Sequence, residues 1–424
     1  MDKEVFVYVD LQGTPHLVGR LWGRMRGNRD SATFEYDRNW LSHKDRFSLE
    51  PALTLGPGPF HTQSDKPLFG AIGDSAPDRW GRVLMRRAER RRAEGAGTAP
   101  RTLREIDYLL MVDDEARQGA LRFAEREGGP FVAEHGPTKI PPLIDLPRLL
   151  SAAERVLGDS DTDEDLRLLL APGSSLGGAR PKASVRDRDG SLAIAKFPHQ
   201  GDEIKTVVWE AVALTLAAKA GVPVPAWRLE TVAGKPVLLL RRFDREGQAR
   251  LPFLSAMSML GAADNETRSY LEFVDALRQH GAAPKQDMHA LWRRIALNIL
   301  ISNTDDHLRN HGFLYTGPAG WLLAPAYDLN PVPTDIKARV LSTAIDLDND
   351  DASLRSLLGV ASYFELGLEE AHKIAAEVGH GVAVWRKVAA KLGLAAAEID
   401  RMASAFEHED LKMALSFAGR RRNH

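Results

Sequence analysis

Asn303-Thr-Asp-Asp-His-Leu-Arg-Asn310 decides how the rest of this 424-residue chain is read. It follows a stretch with Leu291, Ile295, Leu297 and Leu300 at helical spacing, so a run of polar side chains arrives at the end of an apolar helix. Such groups must be solvated, paired or put to use. The surrounding chain is 44% hydrophobic and 27% charged, which excludes intrinsic disorder, collagen and coiled coil as descriptions of the whole. Its length suits two or three domains with a sizeable core. With 56 basic against 58 acidic residues it has no global electrostatic reason to bind nucleic acid or anionic membrane. The absence of cysteine rules out disulfides, thiolate metal sites, iron–sulfur clusters and cysteine nucleophiles. The start lacks a signal-peptide core, and Glu210 and Lys219 interrupt the longest apolar stretch, Val207 to Ala226. The expectation is a soluble cytoplasmic protein with no membrane partner.

Working outward, Asp305 and Asn310 have the spacing of a protein-kinase catalytic loop. There an aspartate orients a hydroxyl nucleophile and accepts its proton, and an asparagine oxygen binds magnesium beside the phosphates. A second acidic position, Asp328 in Ala326-Tyr-Asp-Leu-Asn330, lies 18 residues further on, after two strand-like runs that predict a hairpin. Its Leu-Asn continuation separates it from ordinary eukaryotic-type kinases. Upstream, Leu192-Ala-Ile-Ala-Lys196 puts a lysine at the end of an apolar strand, and Glu210 lies in the following helix. A strand lysine paired with a helix glutamate is how kinases hold nucleotide phosphates; a lysine snorkelling to water is the alternative. Before them, Gly173-Ser-Ser-Leu-Gly-Gly-Ala-Arg-Pro-Lys182 is a glycine segment whose backbone N–H groups can approach phosphate oxygens. Each element is weak alone; their order is that of a kinase.

The predicted elements support a mixed front and a helical back. Strands are expected at Val5–Val9, Leu17–Trp22, Ala32–Tyr36, Ala183–Arg186, Leu192–Phe197, Trp227–Val232 and Val237–Phe243. Helices are expected over 76–93, 146–157, 162–170, 203–220, 267–280, 286–302, 365–378, 381–391 and 394–418. Residues 128–146 read as a linker. The arginines from Arg79 to Arg104 read as a solvated helix face or as a contact for DNA phosphates or an acidic partner.

Taken together, the chain resembles the HipA family of bacterial serine/threonine kinases, toxins of type II toxin–antitoxin pairs. The resemblance is carried by Ala76-Pro-Asp-Arg-Trp-Gly81, Gln118-Gly-Ala-Leu-Arg-Phe123, Ser175 to Lys182, Arg242-Phe-Asp-Arg245, Asn303 to Asn310, and Leu323-Ala-Pro-Ala-Tyr-Asp-Leu-Asn330. It implies an α+β, protein-kinase-like two-lobed fold: an N-terminal α/β subdomain (1–127), a kinase N-lobe of five-stranded type (128–248) and a mostly helical C-lobe (249–424). It implies ATP and Mg2+ as cofactors. Asp305 would be catalytic, and Asn310 and Asp328 the magnesium ligands. Lys196 would contact the phosphates with Glu210 as its partner. Gly177, Gly178, Ala179, Arg180 and Lys182 would cover the phosphates, Arg241, Arg242 and Phe243 would form the hinge beside adenine, and His307 would sit close to the nucleotide. Ser175, or its neighbour Ser174, matches the loop serine whose autophosphorylation switches the kinase off. Arg309 stands where the family's catalytic loop usually has lysine. The implied partners are a HipB-like helix-turn-helix antitoxin, DNA through that complex, and a protein substrate with a serine or threonine acceptor.

Three other readings use the same residues. A metal-dependent hydrolase would be built on Asp305, Asp306, His307 and His311, although Leu308 occupies the position of the H-E-x-x-H glutamate. A catalytically silent kinase fold would act only as corepressor with a DNA-binding antitoxin. A small-molecule kinase would keep the same ATP residues and differ in its acceptor.

Overall fold

Val5, Val7 and Val9 alternate with less buried neighbours, and this period-two pattern starts an antiparallel sheet. In the computed structural model, which describes residues 3–26, 29–133, 140–170, 178, 180–264, 266–347 and 349–419, the sheet has five strands. Their order is Pro59–His61, Arg29–Tyr36, Thr14–Arg26, Lys3–Leu11 and Leu121–Ala124. Gln12 and Gly13 turn the first hairpin with φ of 54° and 84°, and Asp10 Oδ1 accepts from Gly13 N at 2.8 Å. The last strand was not expected from the pattern. It spans four residues, and its ladder to Phe6–Val9 is too short for an alternation to register.

A second antiparallel sheet has the order Lys182–Arg186, Leu192–Lys196, Lys235–Arg241, Trp227–Val232. The five-stranded lobe implied by resemblance is therefore four-stranded among the described residues. One face of it, with Ala183, Val185, Ala193, Ala195, Val237 and Leu239, packs on helices Leu146–Leu157 and Asp163–Leu170. Trp80 and Leu84, from helix Arg79–Gly95, join the same core. Residues 1–201 and 227–254 accordingly form one compact unit.

Most of the arginines on that helix and beyond it are used internally: Arg82 binds Glu105 at 2.6 Å, Arg87 binds Asp161, Arg92 and Arg101 bind Glu89, and Arg104 binds Asp30. Arg79, Arg86 and Arg90 are exposed.

Residues 202–226 and 255–424 form the other unit. Helix Thr206–Lys219 buries nearly every position and has no polar face. It lies against helices Leu368–Ala383 and Trp385–Lys391, with the Trp209 ring near Trp385 and Phe406. Gly381 permits this approach: a Cβ there would stand 2.7 Å from Ala220 N. Beneath it run helices Tyr270–His280 and Pro284–Leu300. The helix expected over 394–418 is broken into Ala396–Arg401, Ala403–Phe406 and Glu409–Gly419. Glu407 leaves the helical region with ψ of 70°, and Arg386 bonds both Glu407 and Asp400 across the break. Buried Ile399, Met402, Ala405 and Phe406 keep a helical period through it, so the pattern did not mark the stop. Among the described residues no helix is long and apolar enough to cross a membrane.

Candidate active site

The polar run after helix Pro284–Leu300 is sorted by burial. Asn303, Thr304 and Asp306 are buried, while Asp305 is exposed. Ser302 makes the turn with φ of 51°. Asp306 Oδ1 accepts from Ser342 N at 2.7 Å and Thr343 N at 3.4 Å, and its other oxygen takes the Tyr270 hydroxyl. Its backbone oxygen receives Thr343 Oγ1 at 2.7 Å. The carbonyl of Thr304 receives Ser342 Oγ and Lys337 Nζ. Asp305 is thus presented to solvent by a loop whose neighbours on either side are bonded into the unit.

Burial pushes the Asp306 carboxyl up to about 6, against the opposing pull of the Tyr270, Ser342 and Thr343 hydrogen bonds. It also pushes the Tyr270 hydroxyl well above its ordinary value, with Asp306 adding to the effect. His311 lies beside them, its ring edge-on to Tyr270 and Phe273 and its Nε2 3.3 Å from both Tyr270 Oη and Asp306 O. Burial, with Arg294 nearby, pulls its pKa down to about 3. The hydrolase reading is disfavoured because His311 is buried against Tyr270 and the Asp306 backbone, and among the described residues no group of three or more His, Asp or Glu is placed to hold a metal ion.

Asn310 closes the loop, donating Nδ2 to Asp305 O at 2.7 Å. Its amide oxygen is the donor the reading assigns to metal. Strands Gly312–Tyr315 and Trp321–Leu323 form the expected hairpin, with Phe313 opposite Leu323. The chain then returns through Asp328, held at φ 57° in the left-handed region that aspartate tolerates better than most residues. Asn330 Nδ2 donates to Asp328 Oδ1 at 3.3 Å and to its carbonyl at 3.2 Å. Asn303 Oδ1 accepts from Asn330 N at 3.0 Å, and Tyr327 Oη donates to Arg309 O at 2.9 Å. The segments carrying Asp305, Asn310 and Asp328 are therefore tied together at two points. Arg309 itself reaches Asp264 at 2.6 Å. His307 is half-buried and precedes the turn Leu308–Asn310.

In the other unit, Lys196 ends its strand half-buried, on the face opposite the Ala193–Ala195 core. Lys182 is directly opposite it in the strand pair. Its side chain is buried, with Nζ 2.8 Å from Asp78. Gly178 and Arg180 are exposed. Arg241 is exposed, 3.8 Å from Asp189. The guanidinium of Arg242 is turned inward onto Asp244 and the carbonyls of Ala116 (2.6 Å) and Arg117 (2.9 Å). Only its backbone, which bonds Leu192 O at 3.0 Å, remains for a hinge. Burial works to raise the Asp244 pKa, but Arg242 and Arg245 hold it below the usual carboxylate range. The Phe243 ring packs near Phe253. Glu210 is buried in helix Thr206–Lys219 and belongs to a different compact unit from Lys196. Ser174, Ser175, Gly177 and Ala179 lie outside the described residues.

Sequence reasoning missed Asp306, Tyr270, Asn303 and Asn330 as scaffold, and Asp78 as the partner of Lys182. The Asp-Asp pair was the available signal: adjacent carboxylates in an extended loop cannot both face solvent in the same way.

Fold and site define an α+β, protein-kinase-like protein. The chain belongs to the HipA family: the family model described as HipA-like C-terminal domain matches residues 174–405. A chain of the Shewanella oneidensis MR-1 toxin–antitoxin complex of HipA, HipB and operator DNA has the same fold, with a TM-score of 0.66 at 16% identity over 98% of this chain and 97% of that one. Two curated relatives carry the name "Putative kinase". Y4mE of Sinorhizobium fredii is 26% identical over 346 residues, covering 73% of this chain and 75% of its own. A Haemophilus influenzae protein is 25% identical over 151 residues, covering 31% and 44%.

Proposed function

We propose that the chain is an ATP- and Mg2+-dependent serine/threonine protein kinase. It would act as a HipA-like toxin, held by a HipB-like helix-turn-helix antitoxin, meet DNA through that complex, and be silenced by autophosphorylation at Ser175 or Ser174. The observation that carries the reading is the exposed carboxylate of Asp305 on a loop anchored by buried Asp306 and closed by Asn310. The Asn310 amide oxygen and the Asp328 carboxylate are hard oxygen donors of the kind magnesium takes. When bound, MgATP supplies the phosphoryl group and neutralises phosphate charge. Asp305 orients the acceptor hydroxyl and takes its proton as the new oxygen–phosphorus bond forms and the bond to the departing ADP oxygen breaks. Asn330 holds Asp328, and Lys196 supplies positive charge to the phosphates. The pairing of HipA with HipB and operator DNA in the Shewanella complex supports the antitoxin assignment.

The test is intact mass with peptide mapping after incubation with ATP and magnesium, on phosphatase-treated wild type and Asp305→Ala. One phosphate on Ser175 or Ser174 in wild type alone is the expected result. A fully active Asp305→Ala protein, or a wild type that binds no ATP, overturns the reading.

A further inference from the structure

Asp78 and Lys182 are 104 residues apart in the chain, yet they form a 2.8 Å ion pair with side chains only 4% and 3% exposed. Lys182 opens its strand where the glycine segment joins it, directly opposite Lys196. Opposed antiparallel positions share a face, and like charges placed there repel. Asp78 places a negative charge on one of the two lysines. Its other oxygen accepts from Gly81 N at 2.7 Å and caps helix Arg79–Gly95, so the carboxylate is fixed in place. Trp80 adds two contacts: Nε1 donates to Lys182 O at 3.0 Å, and its backbone N donates to Gly178 O at 3.4 Å. Gly178 has φ of 94°, and a Cβ there would stand 3.1 Å from Lys182 Nζ. The short segment Asp78–Trp80 therefore grips both Gly178 and Lys182.

We infer that Asp78 and Trp80 are positioning residues for nucleotide-phosphate binding, acting through Lys182 as one latch on the end of the glycine segment. Lys182 is then a strut that holds the end of the glycine segment. The nucleotide site extends to residue 78, well outside the segment 174–405 that the family model matches. The inference rests on the kinase reading above.

The experiment is calorimetric binding of a non-hydrolysable ATP analogue with magnesium to the full chain, as wild type, Asp78→Asn, Lys182→Met and the double variant, each checked for folding by circular dichroism. Asparagine is a good N-cap, so Asp78→Asn removes the charge and keeps the helix start. Each single variant should raise the Kd about ten-fold, and the double variant should be no worse than the worse single, because the pair acts as a unit. Trp80→Phe keeps the ion pair, loses the indole donor, and should raise the Kd by a smaller factor; it carries the test if a charge variant fails to fold. Lys182→Met weakening binding while Asp78→Asn leaves it unchanged or tighter would make Lys182 a phosphate ligand and overturn the latch. Folded variants that all bind like wild type would reduce the pair to a stability feature and also overturn it. A wild type that binds no analogue sinks the kinase reading itself, which separates the two failures.

Discussion

Asp306→Asn should leave the C-terminal unit folded and active, whereas Asp306→Ala should not. Alanine strands the buried Tyr270 hydroxyl and the buried Thr343 N–H, and removes the acceptor of the Ser342 N–H at 2.7 Å. An unsatisfied buried donor costs about 1–3 kcal/mol, so the total should reach roughly 2–4 kcal/mol. Asparagine can keep Oδ1 on Ser342 and turn Nδ2 toward Tyr270 Oη. That is the bonding pattern of a protonated aspartic acid, the form burial favours by pushing the carboxyl up to about 6. The folded state keeps this proton where the unfolded chain has lost it, so the contribution is present in acid and disappears as pH rises from about 4 to about 6. Between pH 5 and pH 8 wild type should lose roughly 1–2 kcal/mol from this residue, and Asp306→Asn none. Urea unfolding at both pH values, followed by tryptophan fluorescence, measures it; groups common to the two proteins cancel in the comparison. The reasoning fails if asparagine is as damaging as alanine at pH 8, or if the gap between wild type and Asp306→Asn does not move with pH.

Asn330→Ala removes the two bonds that hold Asp328 in its left-handed conformation, and should raise the magnesium concentration for half-maximal phosphotransfer several-fold with little change in the urea midpoint. An unchanged magnesium titration would contradict that role. Arg242→Met leaves the buried Asp244 carboxylate short of its nearest cation and should cost about 3–5 kcal/mol of stability by thermal melting. A variant that melts like wild type and loses only nucleotide affinity would restore Arg242 to the hinge. His311, pulled down to about 3, stays neutral in the folded protein while the unfolded chain protonates below about 6.5. Stability should therefore fall as pH drops through that range, and His311→Asn should flatten that limb of the stability profile.

The candidate site's placement was legible because it depends on local spacing: Asp305 is exposed at the end of its helix, as expected of a polar run there, and Asp328 follows the expected hairpin. Its support was not. Asp305 and Asp306 are the same residue type side by side, and only the partner of Asp306, Tyr270, 36 positions earlier, decides which one is buried. Lys182 reads as a phosphate contact because it ends a glycine segment; its ion pair with Asp78 was not legible, since folding brings that aspartate from 104 positions earlier. Arg242 looked like part of a hinge, but its side chain serves Asp244 and carbonyls about 125 positions back. Long strands and helices were readable from periodicity as a mixed front and a helical back, and the two-lobed kinase class came from the family resemblance. The four-residue strand Leu121–Ala124 and the breaks after Arg401 and Phe406 left no periodic trace.

The helix Thr206–Lys219 has a consequence for how the protein is made. It has no polar face and is mostly buried, and its packing partners Leu368–Ala383 and Trp385–Lys391 come much later in the chain. Roughly 150 residues separate Lys219 from Leu368, so at about 5–20 residues per second a ribosome delivers the partner some 8–30 seconds after the helix. For that interval the nascent chain carries the helix without these two partners. A chain cut short before residue 368 is expected to be more prone to aggregate than the full chain. Elongation speed through the middle of the message thus becomes a determinant of yield that no active-site residue controls.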